Sequence, residues 1–203
     1  MTERALIELA RRLPSDALLL DADVRAAYAR DESEAEPVVA EAVVRARSTR
    51  EVAAVLEVAH RHGVPVTPRA AGTGRAGGAV PVPGGWLLAL ERFDRIEELD
   101  EDDGVVVVEP GAVTGRVHEL VEEAGWFYGP DPNSLASCTI GGNVAANAGG
   151  PRAVKYGVTR DWVRALEVVT ADGTVLELGR RTHKGVTGYD LRSLVVGSEG
   201  TLA

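Results

Sequence analysis

Glycine divides this chain in two. None occurs in the first 62 residues, and all 23 lie at or beyond Gly63. A residue without a Cβ costs conformational entropy on folding, so clustered glycines mark backbone forced to positive φ or pressed closely against something. Three clusters stand out, Gly72 to Gly78, Gly141 to Gly150 and Gly197 to Gly200, and function is expected there.

The segments around them read as periodic elements. Leu6, Leu9, Ala10 and Leu13 form one face of an opening helix stopped by Pro14. Asp31 to Glu36 is a polar, acidic stretch, read as a solvated loop. Pro37 to Arg47 carries the valines of a strand. Ser48-Thr49-Arg50-Glu51 then fits the S-x-x-E capping box, followed by Val52, Val55, Leu56 and Ala59 at helical spacing and by Gly63 past the end. With the strand Val64 to Thr67 this is a β-α-β unit that delivers the chain to the first glycine cluster. Trp86 to Leu90 and Val105 to Glu109 read as further strands. Thr114 is placed to cap a helix with Val117, Leu120, Val121 and Ala124 inside and Gly125 at its close. Residues 129 to 160 show no periodicity, which in a compact domain marks a functional or disordered stretch. Trp162 to Thr170 and Thr174 to Leu178, joined by Ala171-Asp172-Gly173, make a β-hairpin, and Leu194 to Val196 is a last apolar piece.

Composition narrows the function classes. The 203 residues suit one sizeable domain or two small subdomains sharing a core. Acids outnumber bases 31 to 22, a formal charge of −9, and the pI is near 5.0. That opposes nonspecific nucleic-acid binding, which needs clustered basic side chains, and attachment to anionic membrane. No apolar run approaches the roughly 20 residues of a spanning helix, and the opening Met1 to Ala5 lacks the apolar core of a signal peptide. Cys138 is the one cysteine, which excludes an internal disulfide or a cysteine-based zinc cluster and suits the cytoplasm.

Gly72-Thr73-Gly74-Arg75-Ala76-Gly77 matches G-x-G-x-x-G after a strand, but a Rossmann fingerprint needs a helix to begin inside it. Here Pro81 and Pro83 follow, and prolines at that spacing cannot continue a helix. No Gly-Lys-Ser/Thr closes the run, so it is not a P-loop. A glycine-rich turn after a strand remains, either a plain tight loop or a nest of backbone N–H groups that holds an anion. The second cluster favours the nest. Asp131-Pro132-Asn133-Ser134, Thr139-Ile140-Gly141-Gly142-Asn143 and Ala145 to Gly150 combine small residues with local hydrogen-bonding side chains. An acidic protein that binds a pyrophosphate needs such local donors, because its overall field opposes the ligand. Lys155 and Lys184 lie next to this part of the chain, and Gly197-Ser198-Glu199-Gly200-Thr201-Leu202 closes it.

In order, Pro68-Arg69-Ala70-Ala71-Gly72-Thr73-Gly74, Asp131-Pro132, Thr139 to Asn143, Lys155-Tyr156-Gly157, Gly188-Tyr189-Asp190-Leu191 and Gly197 to Leu202 resemble the FAD-binding domain of the vanillyl-alcohol oxidase and p-cresol methylhydroxylase superfamily. Within it, the pattern is similar to the FAD subunit of glycolate oxidase and the D-lactate dehydrogenases, from about Tyr28 onward. The resemblance implies an α+β fold of two α+β subdomains with FAD between them. They would span about residues 37–110 and 111–203, after a helical segment over 1–36. It implies that Pro68, Arg69, Ala70, Ala71, Gly72, Thr73 and Gly74, with Gly78, wrap the pyrophosphate. Pro132, Ser134, Thr139, Gly141, Gly142, Asn143, Ala146, Ala148 and Gly149 would line the flavin and ribityl side. Tyr156 with Lys155 would help close the flavin pocket, and Glu199 and Gly200 would meet the adenosine half.

The function implied is oxidation of a 2-hydroxy acid of glycolate or D-lactate type to the 2-oxo acid, by hydride transfer from the α-carbon to flavin N5. The alternative is a flavin-binding subunit or fragment with no activity of its own. A reductase of cell-wall precursors on the same fold fits less well, because Asp131-Pro132 and Gly188 to Leu191 point to the hydroxy-acid branch. Relatives continue past the glycine-serine-glutamate segment into a substrate-binding cap that this chain lacks, so a partner subunit or that cap is expected to complete the site, and no catalytic residue is assigned. Ala70 stands where the family usually has glycine after Arg69, and Gly185 where it often has asparagine. Relatives that attach FAD covalently carry a histidine near Thr73; here His60, His62, His118 and His183 all lie elsewhere, so noncovalent FAD is expected. Plainer readings hold for the other candidates. His60, His62 and His118 read as surface residues and Cys138 as a small buried one. No metal site is expected, Glu97-Glu98 and Glu101-Asp102-Asp103 read as a solvated turn, and Trp126, Phe127 and Tyr128 read as core.

Overall fold

The structure is a computed structural model that describes residues 2–203. Its first half is a four-stranded sheet of order β1-β2-β4-β3, built from Leu18–Leu19, Ala42–Arg45, Trp86–Ala89 and Val66–Arg69 respectively. The strands β2, β3 and β4 run parallel, and β1 is antiparallel to β2. Successive residues point to opposite faces, and the register Val43↔Leu87 and Val44↔Leu88 separates two clusters. Ala42, Val44, Trp86 and Leu88 lie beneath two helices, α1 (Thr2–Ala10) and α3 (Thr49–His62), where Ala5, Leu9, Val55, Val58 and Ala59 meet them. Val43, Leu87 and Ala89 pack on the other face, near Leu19 and Tyr28, which follows α2 (Ala22–Ala27).

The opening helix ends at Ala10 rather than running to Pro14, and Ala5, not Ala10, completes its buried face. The cap of α3 is as expected at Ser48, whose hydroxyl accepts from Glu51 N at 3.3 Å. The Glu51 carboxylate, however, reaches one residue further back and accepts from Arg47 N at 2.9 Å. Gly63 ends α3 in the left-handed conformation at φ 64°. The β2-α3-β3 unit forms, with β4 inserted between its two strands.

The second half is built from hairpins and short helices. β5 (Ile96–Asp100) pairs with β6 (Val105–Val108) across a bulge near Ile96 and Glu98, and α4 (Thr114–Glu123) covers the pair through Val117 and Val121. Glu97 and Glu98 therefore lie in a strand, not a turn, because Ile96 and Leu99 are drawn onto the α4 core. Glu101, Asp102 and Asp103 do form the turn. The expected hairpin of β7 (Ala165–Val169) and β8 (Val175–Gly179) is present. The aperiodic stretch contains three short helices, α5 (Ile140–Ala146), α6 (Ala153–Tyr156) and α7 (Thr159–Trp162). The last apolar piece belongs to α8 (Leu191–Val195). Among the described residues no helix is long and apolar enough to cross a membrane.

Candidate functional site

The parallel strands β3 and β4 are joined by residues 70–85 without the helix that such a crossover ordinarily carries. The loop leaves the carboxyl end of β3, the edge of a parallel sheet where open α/β folds bind ligands. Among the described residues, the backbone N–H groups from Ala70 through Gly78 donate to no protein acceptor. Satisfaction resumes at Ala79, whose N–H reaches the Asp31 carboxylate at 3.3 Å, and at Val80, which donates to Gly77 O. Asp31 also accepts from Ser33 N at 2.9 Å, so the acidic stretch is an anchor for the glycine loop and not merely solvated. Gly72 and Gly77 take φ of 71° and 79°, the left-handed turns that bend the loop.

The other two clusters fold against this loop. Glu199 N donates to Ala145 O and Gly197 N to Val144 O, both at 2.9 Å, which docks the last segment on α5. Arg160 fastens it from the other side by donating to Val196 O at 2.7 Å. A Cβ on Gly200 would stand 2.6 Å from Pro68, one on Gly78 3.1 Å from the Glu199 carboxylate, and one on Gly142 3.8 Å from Ala70. All three clusters thus border one cleft, with a cavity of about 1970 Å³. It exceeds the usual few hundred to 1,000 Å³ or so of a small-molecule pocket. The glycine loop, α5 and residues 198–203 border it, and so do residues of both hairpins, among them Val105, Val107, Leu166 and Val168.

The expected site residues divide on inspection. Pro68 to Gly74, Gly78, Pro132, Ser134, Thr139, Gly141, Gly142, Asn143, Ala146, Ala148, Glu199 and Gly200 all border the cavity. Gly149 and Tyr156 do not: Gly149 is held between Ala153 and Val158, and Tyr156 packs its ring on Phe127 at 4.8 Å, with Lys155 over its other side. Several bordering residues are committed to the protein itself. Thr139 caps α5 by accepting from Gly142 N, while Ile140 N and Gly141 N donate to Ala112 O and Pro110 O. The first turn of α5 therefore has no free N–H to offer. Gly141 is glycine because a Cβ would stand 2.6 Å from Pro110. Asn143 is buried and donates to Thr114 Oγ1 at 2.7 Å. Thr114 is accordingly a buried acceptor on the first helical turn and not a cap, and the cap position of α4 belongs to Val113. Gly74 is the opposite case. It needs no positive φ, and nothing lies within 4 Å of where its Cβ would be.

Three other expectations are corrected here. Trp126 and Phe127 are 44% and 40% exposed and border the cleft with Trp162 rather than packing in the core, whereas Tyr128, which also borders the cleft, packs against Val117 and Val121 as expected. The rings of Phe127 and Tyr128 each meet Trp162 edge-on, and burial pushes the Tyr128 hydroxyl up to about 12. The run of three aromatics directly ahead of Gly129-Pro130-Asp131 was the sequence signal for this wall. His118 is buried at 6% exposure, meets the Tyr128 ring edge-on and bonds Pro130 O at 2.9 Å, because α4 turns that side chain onto the aromatic wall. His62 likewise is not simply solvated, since it contacts Glu8 at 2.9 Å.

The free donors fit a diphosphate. They follow one another without a break along the loop at a strand end, and the residues that carry them border the cavity, apart from Gly77. The chain matches the family model described as "FAD binding domain" over residues 40–179. It is 43% identical over 178 residues to glycolate oxidase subunit GlcD of Bacillus subtilis (strain 168), which covers 88% of this chain and 38% of the relative. It is 38% identical over 203 residues to D-2-hydroxyglutarate dehydrogenase of Stutzerimonas stutzeri (strain A1501), covering 100% of this chain and 44% of the relative. A structure of p-cresol methylhydroxylase with substrate bound shares the fold at TM-score 0.80 and 21% identity, over 96% of this chain and 40% of that one. The chain therefore spans less than half the length of these proteins, and it belongs to the FAD binding domain family.

Proposed function

We propose that the row of free N–H groups from Ala70 through Gly78 holds the diphosphate of a noncovalently bound FAD. The observation that carries this reading is the pairing of those donors with Gly74, a glycine that nothing in the chain itself requires. Residues 37–110 and 111–203 then act as two subdomains on either side of the cofactor, with the aromatic wall and the Thr139–Asn143 turn on its flavin side. Glu199 and Gly200 would stand at its adenosine side. Bound flavin supplies the hydride acceptor for oxidising a 2-hydroxy acid to the 2-oxo acid. The residues present bind it, orient it and exclude water from one face.

The hairpin β7–β8 leaves Val175 and Leu176 exposed. That favours a reading in which a further segment or a partner chain completes the substrate side, and the domain alone binds flavin without turning over substrate. The lone, buried Cys138 suits a reducing compartment such as the cytoplasm. The test is reconstitution. Protein incubated with FAD and passed through a desalting column is expected to retain about one flavin per chain, with its absorption bands. Glycolate, D-lactate or D-2-hydroxyglutarate is expected to bleach those bands slowly or not at all. Protein that emerges colourless under every condition overturns the cofactor assignment, and rapid bleaching overturns the incompleteness.

A further inference from the structure

A dianionic diphosphate in a chain of charge −9 meets an adverse long-range field, and peptide dipoles carry only partial charges. Arg69, the last residue of β3, stands where a full charge is needed. Its guanidinium lies over the α-carbon of Gly72, where a Cβ would collide with it. Gly72 therefore serves as both turn and seat. The guanidinium is placed from behind: Nη1 donates to Arg30 O at 2.7 Å, and Cζ lies 5.8 Å from the centroid of the Tyr28 ring. Tyr28 is fixed in turn by its hydroxyl, which donates to Glu91 Oε1 at 2.6 Å. Burial first, and Glu91 second, push that hydroxyl up to about 12, so it remains a donor throughout the working range. Among the described residues no carboxylate lies within ion-pairing distance of Arg69 or of Arg75, which is exposed on the same loop. Both charges border the cavity and neither is held in an ion pair, although the Asp31 carboxylate that anchors the loop feels the Arg69 charge.

We propose that Arg69 is the built-in counter-charge for the cofactor diphosphate, that Tyr28 and Glu91 are its positioning residues, and that Arg75 adds a second, solvent-screened charge. This rests on the FAD reading above. It adds that recognition is of the diphosphate as a charge, so affinity falls with salt for FAD but not for riboflavin, which carries the same ring without phosphate.

The experiment is a fluorescence titration of the protein with FAD and with riboflavin across a range of potassium chloride concentrations. In the wild-type chain FAD affinity is expected to fall steadily with salt while riboflavin affinity stays level. Parallel, flat responses for the two ligands overturn the proposal without any variant. Arg69→Gln is expected to weaken FAD by about tenfold at low salt, the cost of one charge-assisted contact, and to flatten the salt response, with riboflavin within about twofold. Tyr28→Leu, which keeps Arg69 but removes its platform, should reproduce most of that loss, and Tyr28→Phe should lose less. Arg75→Gln should cost a few-fold, all of it gone at high salt. Equal losses for FAD and riboflavin in Arg69→Gln would mean a structural role and overturn the assignment, as would an unchanged FAD affinity. A wild-type chain that binds riboflavin but has no preference for FAD refutes this inference alone. One that binds neither refutes the cofactor reading beneath it.

Discussion

The sheet β1-β2-β4-β3 and the two hairpins β5–β6 and β7–β8 have similar numbers of apolar strand residues, yet they use them differently. In the first sheet both faces are covered. Val43, Val44, Leu87 and Trp86 have no exposure at all, and α1 and α3 close one side with Leu9, Val55 and Val58. In the hairpins no strand residue is fully enclosed: Leu166 and Val168 are only partly buried where they border the cleft, Val106 and Val108 only partly buried beneath α4, and Val175 and Leu176 are about two-fifths exposed. The first region closes its own core and supplies rigidity. The second leaves apolar surface uncovered, part of it bordering the cleft. The same division appears among the glycines. Gly141, Gly111 and Gly150 are small because their own protein presses on them: Pro110, the Leu90 and Phe93 carbonyls, and Asp131 respectively. Gly74 has open space, and only an occupant of the cleft would ask for it to be small.

If stability resides in the first region, the largest loss should come from its centre. Leu9→Ala removes a fully buried side chain between α1 and the sheet, and it is expected to cost about 3 kcal/mol of unfolding free energy. Urea denaturation measures that loss. FAD affinity of the protein that remains folded should be unchanged, and a parallel fall in affinity would erase the distinction between scaffold and site.

The reverse separation is expected at Gly74→Ala. Its stability should stay within about 0.5 kcal/mol of wild type, because the new methyl group meets nothing in the chain. FAD affinity should drop by about tenfold, since the cofactor must then stand off from the loop backbone. Titration and urea denaturation of one preparation decide the matter. Unaltered affinity would show that the diphosphate lies elsewhere along the loop, and lost stability would place Gly74 with the structural glycines.

This division also governs what could be read from the residues alone. The strands β2, β3 and β4, the helices α1 and α3 and the hairpin at Ala171-Asp172-Gly173 follow from apolar runs, alternation and period-3.6 spacing, whereas the two-residue β1 and the short α2 carry no such pattern. The helix α5 does not. Ile140-Gly141-Gly142-Asn143 has poor helical propensity, and the turn forms because Ala112 O and Pro110 O, both tertiary partners, receive its first donors beside the local Thr139 cap. Strand β5 was hidden for the related reason that acidic residues outnumber Ile96 and Leu99 along it. Which sequence-predicted residues face the cleft follows the same logic. The loop from Pro68 to Gly78 could be named from its glycines. The inward commitment of Asn143 to Thr114 and the outward turn of Trp126 and Phe127 depend on where α4 sits. No local pattern records that.

The smallest effect belongs to the β7–β8 turn, and it bears on how the second region holds together. Thr170 Oγ1 donates to Asp172 Oδ1 at 2.6 Å and Thr174 N donates to the same oxygen at 3.0 Å. The Thr170 hydroxyl first, and Thr174 after it, hold this exposed carboxyl at about 2, below the usual carboxylate value. A depressed folded-state value means that the ionised form is favoured by folding. The contribution is therefore fully present above the unfolded value, near pH 4, and is lost as pH falls through about 2. Asp172→Asn is expected to lower the melting temperature slightly at neutral pH, with the difference from wild type shrinking between about pH 4 and about pH 2. The turn is exposed and β7 is tied to the first region by the bond from Thr49 Oγ1 to Glu167, so the loss should stay local. A large, global loss of stability over that same range would mean that the second region stands on its surface charges, and that its packing against α3 contributes little.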